Sequence, residues 1–258
     1  DRHLMEGNYQ QKKQFFDSLL TIYGRKPVLE VLQDDSIPVF RLHLADSNQT
    51  DGTLKDILKL AARRQIDIAY HSRDALSRIS KNRREDQGVA ADLQCPRYQN
   101  YRDFLASRGD RPFRLIALDS ITNPQNLGMI IRSVSASPLD GILLPTKGCA
   151  PLSPLVIKAS AGTLFKCAIL RCEQLDDALT DVAKQADICV LTGSGSMDIA
   201  HYQPTGSAIY VLGNETEGVS DKVMATASQR LRIPMSNGVE SLNVAVTAAL
   251  IAFRDILG

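Results

Sequence analysis

The sequence contains no tryptophan, and aromatic residues make up only 5% of its 258 residues. This scarcity argues against a nucleic-acid surface built mainly from stacked rings, so contacts with RNA or DNA have to depend on arginine and lysine. The charge is nearly balanced, with 30 basic and 29 acidic residues and a net charge of +1. No overall field therefore draws the chain to phosphate or to a membrane, and only a local basic patch can do so.

Metal ligands and long apolar runs are also scarce. The 5 cysteines include no C-x-x-C pair, and the 4 histidines do not fall at zinc-binding spacings. The most apolar stretch, residues 244–253, has about half of the roughly 20 residues that span a bilayer, and the N-terminus lacks the apolar core of a signal peptide. We therefore expect a reduced, cytoplasmic protein with no metal site and no membrane partner.

The sequence does contain a repeated alternation of strand-like and helical segments. Short apolar runs such as FRLIALDS, DGILLP and AIYVLGN alternate with segments of helical period. This pattern predicts an α/β protein whose mainly parallel sheet is covered on both faces. We divide the chain into an N-terminal extension (1–20), a small α/β domain (21–98), a linker ending in the turn-forming Gly-Asp-Arg-Pro (99–112) and a larger α/β domain (113–258).

Three segments of the larger domain place polar residues directly after a strand, where ligands bind in open α/β sheets. These segments are LDSITNPQNLGMIIRS, YVLGNETEGVS and RIPMSNGVESLNVAV. Each residue taken alone has a structural interpretation: Asn126 and Ser241 as helix N-caps, and Glu215 and Glu240 as complements to helix dipoles. The occurrence of three such segments in one domain favours a functional site.

The three segments resemble, in order, the three motifs of the SpoU (TrmH-like) family of RNA ribose 2′-O-methyltransferases, in the SPOUT superfamily. NPQNLGMIIR resembles the first motif, VLGNETEG the second and IPMSNGVESLNVAV the third. The resemblance covers roughly residues 114–258. The N-terminal part, with YGRKPVLEVL and DQGVAA, is similar to the substrate-binding domain of this family, which has a fold like that of ribosomal protein L30e.

The resemblance implies methyl transfer from S-adenosylmethionine (AdoMet) to structured RNA, with ribosomal RNA favoured over transfer RNA. It also implies a C-terminal trefoil knot that binds AdoMet, and a homodimer in which two knots meet. Carried over position by position, the residues expected to bind AdoMet are Gly193, Leu212, Gly213, Asn214, Ile233, Met235 and Leu242, with Gly213 allowing close approach of the ligand. Those expected to be catalytic are Asn126, Arg132, Glu215, Ser241 and Asn243.

The three motifs contain no histidine or cysteine, so the common general bases are missing. The resemblance implies that Arg132 is the catalytic base. A guanidinium is effectively always protonated, however. Two roles for Arg132 therefore stay open: a base organised by an RNA phosphate, and a cation that stabilises the developing alkoxide while the proton leaves to phosphate or water.

A basic segment in the small domain, RDALSRISKNRR, is the candidate RNA-binding patch. Charge alone fits a solvated helix face as well as a phosphate-binding surface, and its place in a domain that resembles an RNA-binding module favours the second. With two nearby arginines, the candidates are Arg63, Arg64, Arg73, Arg78, Lys81, Arg83 and Arg84.

Two other functions are compatible with parts of the sequence. The first is a dinucleotide-binding oxidoreductase, because DICVLTGSGSMD places Gly193 and Gly195 after a strand, although Asp198 replaces the third glycine of G-x-G-x-x-G. The second is a catalytically inactive RNA-binding protein of the same fold, against which the full set of catalytic candidates argues.

Overall fold

The computed structural model describes residues 2–258, with side chains from residue 7 onward. Over this range the chain forms two compact units. The first ends at Pro96, and the second runs from Arg97 to Gly258. In the described range, no helix is both long enough and apolar enough to cross a membrane.

The first unit is built on a mixed sheet. Its strands are β1 (Leu19–Tyr23), β2 (Val39–Ala45), β3 (Asp67–His71) and β4 (Val89–Gln94), and its helices are α1 (Arg2–Asp17), α2 (Arg25–Gln33), α3 (Gly52–Arg63) and α4 (Arg73–Ser80). The sheet order is β1-β4-β2-β3, in which β4 is antiparallel to β1 and β2, and β3 is parallel to β2. Side-chain caps at Asp51 and Ser72 begin α3 and α4.

The second unit is built on a sheet in which all strand pairs are parallel. Its strands are β5 (Tyr98–Asn100), β6 (Arg114–Leu118), β7 (Gly141–Pro145), β8 (Ile169–Cys172), β9 (Ala186–Leu191), β10 (Met197–Asp198), β11 (Ser207–Leu212) and β12 (Gln229–Arg232). Its helices are α5 (Tyr101–Arg108), α6 (Pro124–Ala136), α7 (Pro154–Ala159), α8 (Leu175–Val182), α9 (Asp221–Met224) and α10 (Val244–Leu257), with short 3-10 turns at Thr163–Phe165 and Ile199–His201. The predicted α/β architecture is confirmed.

The strand order of the second sheet determines which loops meet. The order is β10-β12-β9-β11-β6-β7-β8-β5, so β12, β9 and β11 are neighbours and β6 lies next to β11. The central strands are apolar on both faces: residues of β6, β7 and β11 such as Ile116, Leu143 and Ile209 are almost fully buried. Parallel strands end at the same edge of a sheet, so the loops after β12, β9, β11 and β6 converge there.

The expected domain limits differ from the structure in two places. The segment 99–112 is not a linker, because β5 pairs with β8, and Tyr101 and Phe104 of α5 are buried in the core of the second unit. Residues 1–20 are not only an extension, because Leu19 and Leu20 belong to β1 and pair with β4. Both segments are short or polar, so their apolar periodicity was too weak to reveal them. The trefoil knot stays a prediction.

Candidate functional site

A cleft opens at the carboxyl edge of the second sheet, where β9, β11 and β12 end next to one another. Its volume is about 200 Å³. Thr192 and Gly193 follow β9, Gly213 follows β11, and Ile233 follows β12. The cleft is lined by these loops and by the segment leading into α10: Leu191, Thr192, Gly193, Leu212, Gly213, Asn214, Glu215, Gly218, Val219, Ile233, Met235, Glu240, Ser241, Leu242, Val244 and Thr247.

Every residue expected to bind the cofactor lies in this lining. Leu212, Ile233, Met235 and Leu242 give the cleft an apolar wall that suits a flat ring system. Thr192, Asn214 and Ser241 add hydroxyl and amide groups in the same lining, which suits the polar parts of a nucleoside. Apolar walls with a few convergent polar groups are typical of small-molecule sites.

Two glycines in the lining have different structural roles. A Cβ atom on Gly193 would meet no atom within 4 Å, so the missing side chain leaves room inside the cleft. A Cβ atom on Gly213 would lie 2.3 Å from the backbone of Gly218 and Val219. The sequence analysis expected Gly213 to let a ligand approach closely. In the structure, the missing side chain lets the backbone of Gly218 and Val219 pack against Gly213.

The loop after β11 is a tight turn that aims Glu215. Asn214 and Gly218 exchange backbone hydrogen bonds of 3.1 and 2.8 Å. The side-chain Oδ1 of Asn214 accepts hydrogen bonds from the backbone N–H groups of Thr216 and Glu217, and its Nδ2 donates to the backbone oxygen of Ser120 in the loop after β6. Hydrogen bonds therefore hold the loop that carries Glu215 at both its base and its tip.

Three of the five catalytic candidates meet in one hydrogen-bonded cluster. The Nδ2 of Asn126 donates to Oε1 of Glu215 at 2.5 Å. The Nδ2 of Asn243 donates to the same carboxylate oxygen and to Oδ1 of Asn126, each at 3.1 Å. The other carboxylate oxygen of Glu215, Oε2, has no hydrogen-bond partner among the described residues. The cluster thus holds a carboxylate at the edge of the cleft with one oxygen available.

Helix capping falls on residues other than those suggested by the sequence. Asn123, not Asn126, caps α6, since its side chain accepts from the backbone N–H of Asn126. Asn243, not Ser241, caps α10, since its Oδ1 accepts from Ala245 and Val246. In both helices the cap is the residue directly before the first helical residue, which is Pro124 in α6 and Val244 in α10. Ser241 is therefore exposed in the cleft lining without a capping role.

Arg132 is the catalytic candidate that neither lines the cleft nor belongs to the hydrogen-bonded cluster. It is exposed in α6 and makes no hydrogen bond or ion pair with the described residues. On the same exposed side of this helix, one turn earlier, Met129 is 43% exposed. The helix packs against α10, whose Val246 and Leu250 are 45% and 46% exposed. Arg132 and Met129 are thus exposed on α6, and Val246 and Leu250 are exposed on the helix that packs against it.

The basic candidates of the first unit divide into three groups. Arg64 and Arg73 bond within the fold: Arg64 donates to the backbone oxygen of Leu32 in the last turn of α2 and to that of Ile37 after it, and Arg73 is paired with the fully buried Asp86. Carbonyl groups in the last turn of a helix lack partners within it, so Arg64 satisfies one of them. Arg63 and Arg83 form exposed ion pairs with Asp35 and Asp74.

Arg78, Lys81 and Arg84 make up the third group, and we call these three residues the basic patch. All are exposed, and none forms an ion pair with a described residue. Their charges are therefore available to phosphate. Arg64 and Arg73 use their guanidinium groups within the fold of the first unit, so the structure does not favour them as phosphate ligands, and their place on an RNA surface stays a prediction.

Several site residues were missed by the sequence analysis. Thr192, Glu240 and Thr247 line the cleft, and Asp119 is buried with its carboxylate accepting the backbone N–H of Ser220. The position of Thr192 and Asp119 directly after a strand was an available signal. Among the described side chains, no group of three or more His, Cys, Asp or Glu residues could hold a metal ion.

Comparison with known proteins identifies the family. Residues 113–253 match the family model described as the SpoU rRNA Methylase family, and residues 21–99 match the one described as RNA 2′-O ribose methyltransferase substrate binding. These are families of RNA methyltransferases. The first match covers more than half of the chain, so the chain belongs to the SpoU rRNA methylase family. This assignment removes the oxidoreductase alternative.

Relatives of similar length agree with this assignment. An uncharacterized tRNA/rRNA methyltransferase from Mycobacterium ulcerans is 32% identical over 237 residues, covering 91% of this chain and 76% of the relative. A protein of the same description from Mycolicibacterium smegmatis is 32% identical over 238 residues, with 91% and 75% covered.

Solved structures share the fold. The SpoU methyltransferase AviRb from Streptomyces viridochromogenes, solved with AdoMet, has a TM-score of 0.59 at 21% identity, covering 96% of this chain and 94% of that chain. An AdoMet-bound rRNA methyltransferase from Sinorhizobium meliloti has a TM-score of 0.59 at 22% identity, covering 96% and 92%. At this level of identity the likeness concerns the fold.

The capping geometry predicts different stabilities for two variants of neighbouring residues. Asn243→Ala removes the cap of α10 and should lower the free energy of unfolding by about 1 kcal/mol. Ser241→Ala removes no cap and should change it by less than about 0.5 kcal/mol. Urea unfolding followed by circular dichroism measures both. Equal losses in the two variants would contradict the assignment of the cap to Asn243.

Proposed function

We propose that this protein transfers the methyl group of AdoMet to a ribose 2′-hydroxyl of structured RNA, with ribosomal RNA favoured over transfer RNA. The observation that carries the proposal is the Asn126–Glu215–Asn243 cluster at the edge of the cleft. The family descriptions, which name an rRNA methylase and a 2′-O ribose methyltransferase substrate-binding domain, support both the reaction and the preference. A cytoplasmic location belongs to this proposal.

The cleft fits AdoMet in its residue types. Leu212, Ile233, Met235 and Leu242 would hold the adenine ring, while Gly193, Gly213 and Asn214 would hold the polar parts of the molecule through backbone and amide groups. The space left by the missing side chain of Gly193 supports this assignment. When bound, AdoMet supplies a methyl group carried on a positively charged sulfur. An oxygen nucleophile would attack the methyl carbon in line with the carbon–sulfur bond, and the sulfur would leave as a neutral thioether.

Glu215 is the group that takes the hydroxyl proton in this proposal. An ionised carboxylate accepts a proton, which a guanidinium does not. The amide groups of Asn126 and Asn243 both bond to Oε1, so they hold the carboxylate in one orientation and leave Oε2 to face the substrate. The hydroxyl of Ser241, in the same lining, would orient the ribose. Positioning of both reacting groups is the larger part of such catalysis.

Arg132 acts in this proposal on the RNA phosphate and on the developing alkoxide, as a fixed cation. It lies outside the cleft lining of its own chain, on a helix whose Met129 is exposed and which packs against α10 with its exposed Val246 and Leu250. We infer that a second copy of the chain covers these exposed apolar residues in a homodimer. Arg132 of one copy would then act in a site to which both copies contribute residues. Exposed apolar residues on the helix of a catalytic candidate and on the helix packed against it support this arrangement.

The first unit binds the RNA in this proposal, through the basic patch of Arg78, Lys81 and Arg84. Each cation that contacts a phosphate releases counterions from the RNA, which makes affinity depend on salt. Arg83, between Lys81 and Arg84 along the chain, extends this surface, and Arg63 on α3 is a further exposed candidate; both are ion-paired. Because exposed ion pairs are weak, a phosphate can replace their aspartate partners.

The central test is methyl transfer from labelled AdoMet to total RNA, followed by mapping of 2′-O-methyl sites. Arg132→Ala should bind AdoMet normally but lose transfer by about a hundredfold or more. Arg132→Lys should restore little, because an ammonium lacks the planar fork of a guanidinium. Lys184→Ala, which removes another exposed cation of the second unit, is the matched control. Near-full turnover of Arg132→Ala would refute its catalytic role, and wild-type RNA binding without transfer would favour the inactive alternative.

For the basic patch, Arg78→Ala combined with Arg84→Ala should weaken RNA binding and reduce the slope of log K against log salt by about two units, one for each lost phosphate contact. AdoMet affinity should not change. Lys55→Ala combined with Lys59→Ala removes the same charge from α3 and serves as the control. The patch assignment fails if both double variants bind RNA with the same salt dependence as the wild type.

The homodimer is tested by sedimentation at micromolar concentration. The wild type should sediment as a dimer, and Leu250→Asp combined with Val246→Asp should shift it to a monomer, because buried unpaired carboxylates are costly. Lys184→Ala should remain dimeric. A monomeric wild type under these conditions would contradict the inference.

A further inference from the structure

A row of hydrogen-bonded polar side chains crosses every strand of the sheet in the first unit. The hydroxyl of Thr21 in β1 donates to Oδ1 of Asp92 in β4 at 2.7 Å. The other oxygen of Asp92 bonds to Nε2 of His43 in β2 at 2.7 Å. The Nδ1 of His43 then bonds to Nε2 of His71 in β3 at 2.9 Å. We call these four residues the polar row.

The polar row is costly for a domain of this size. His43 is 6% exposed, and the side chain of Asp92 is 14% exposed. Burial raises the pKa of the Asp92 carboxyl, but hydrogen bonds from His43 and Thr21 outweigh this effect and hold the pKa below its usual value. Buried ionic networks are commonly replaced by apolar residues without loss of stability. Folding alone therefore gives no reason for the row.

The row ends at one ring nitrogen that is open to a ligand. His71 uses Nε2 to contact His43, and its Nδ1 has no hydrogen-bond partner among the described residues. This nitrogen is not among the buried polar atoms that lack a partner. It is therefore reachable from solvent, on β3, an edge strand of the sheet.

The row also determines which hydrogen bond His71 can make. In a neutral His43, Nε2 donates its proton to the Asp92 carboxylate, so Nδ1 is an acceptor and takes the proton of His71 Nε2. His71 Nδ1 is then an acceptor in turn. Burial, reinforced by the neighbouring His43, lowers the pKa of His71, which favours this neutral form. The open nitrogen therefore selects a ligand that donates.

An arginine lies on the same face of the sheet as the polar row. Arg41 is two residues before His43 on β2, opposite Asp92 and Asp67 in the strand register, and its charge contributes to the lowered pKa of His71 after burial and His43. It makes no ion pair with the described residues, and its guanidinium lies over the ring of Phe40. A group that accepts a hydroxyl proton, on one sheet face with a guanidinium that can bind a phosphate, matches the backbone of a bound RNA.

We propose that His71 Nδ1 accepts a hydrogen bond from a ribose 2′-hydroxyl of the bound RNA, with Arg41 contacting an adjoining phosphate. His43 and Asp92 are positioning residues that fix the tautomer of His71. The proposal rests on the proposed function, since it takes RNA as the ligand. It gives the first unit a means of recognising RNA that is separate from the charge of the basic patch.

The test compares two labelled hairpins of one sequence, an RNA and its 2′-fluoro analogue, which keeps the A-form but cannot donate from the 2′ position. Fluorescence anisotropy should show that the wild type prefers the RNA by about five- to tenfold, the effect of one hydrogen bond. His71→Ala should lose most of this preference, while any part that comes from the hydroxyl bound at Glu215 and Ser241 remains. His71→Gln, which keeps a group near Nε2 for His43 but has none at Nδ1, should do the same while keeping the wild-type melting temperature.

Tyr70→Ala is the matched control, because Tyr70 precedes His71 in β3 and points to the other face of the sheet. It should retain the preference for RNA. A preference as large in both His71 variants as in the wild type, or a wild type without any preference, would overturn the proposal. Methyl transfer by the wild type to unmodified RNA reports separately on the proposed function, so failure of one is distinguishable from failure of the other.

Discussion

The geometry of the site depends on a single carboxylate oxygen that receives two amide hydrogen bonds. Oε1 of Glu215 joins the loop after β11, the start of α6 through Asn126, and the start of α10 through Asn243. The orientation of Asn243 is imposed by the helix, since its oxygen caps two backbone N–H groups and only its NH₂ group can face Glu215. Formation of α10 therefore also orients the amide group that holds the Glu215 carboxylate.

This cluster occupies the position that an open α/β sheet offers to ligands. The chain runs from β6 outward through β7 to β8 and then returns to the other side of β6, so β6 and β11 flank the point where the strand order reverses. Loops that leave in opposite directions open a crevice at such a point. Asn126 follows β6 and Glu215 follows β11, so the topology brings together two residues separated by 89 positions.

Much of this arrangement was predictable from the sequence. The apolar strands of the second unit are continuous enough to be recognised, and the seven residues expected to bind the cofactor all line one cleft. The caps were not predicted correctly, because Asn123 and Asn126, or Ser241 and Asn243, are equally good capping residues and only backbone geometry decides between them. The charge pattern of the sequence also did not show that Arg64 and Arg73 bond within the fold. The carbonyl and carboxylate groups that they contact are brought near only by tertiary contacts.

The distribution of cleft residues along the chain has a consequence for biosynthesis. The lining comes from positions 191–247, whereas the sheet of the first unit is complete at Gln94. Domains generally fold as units, beginning at the N-terminus as the chain is made. A nascent chain thus gains its folded RNA-binding unit well before it has a cleft for the methyl donor, and a chain interrupted between these points would compete for RNA without modifying it.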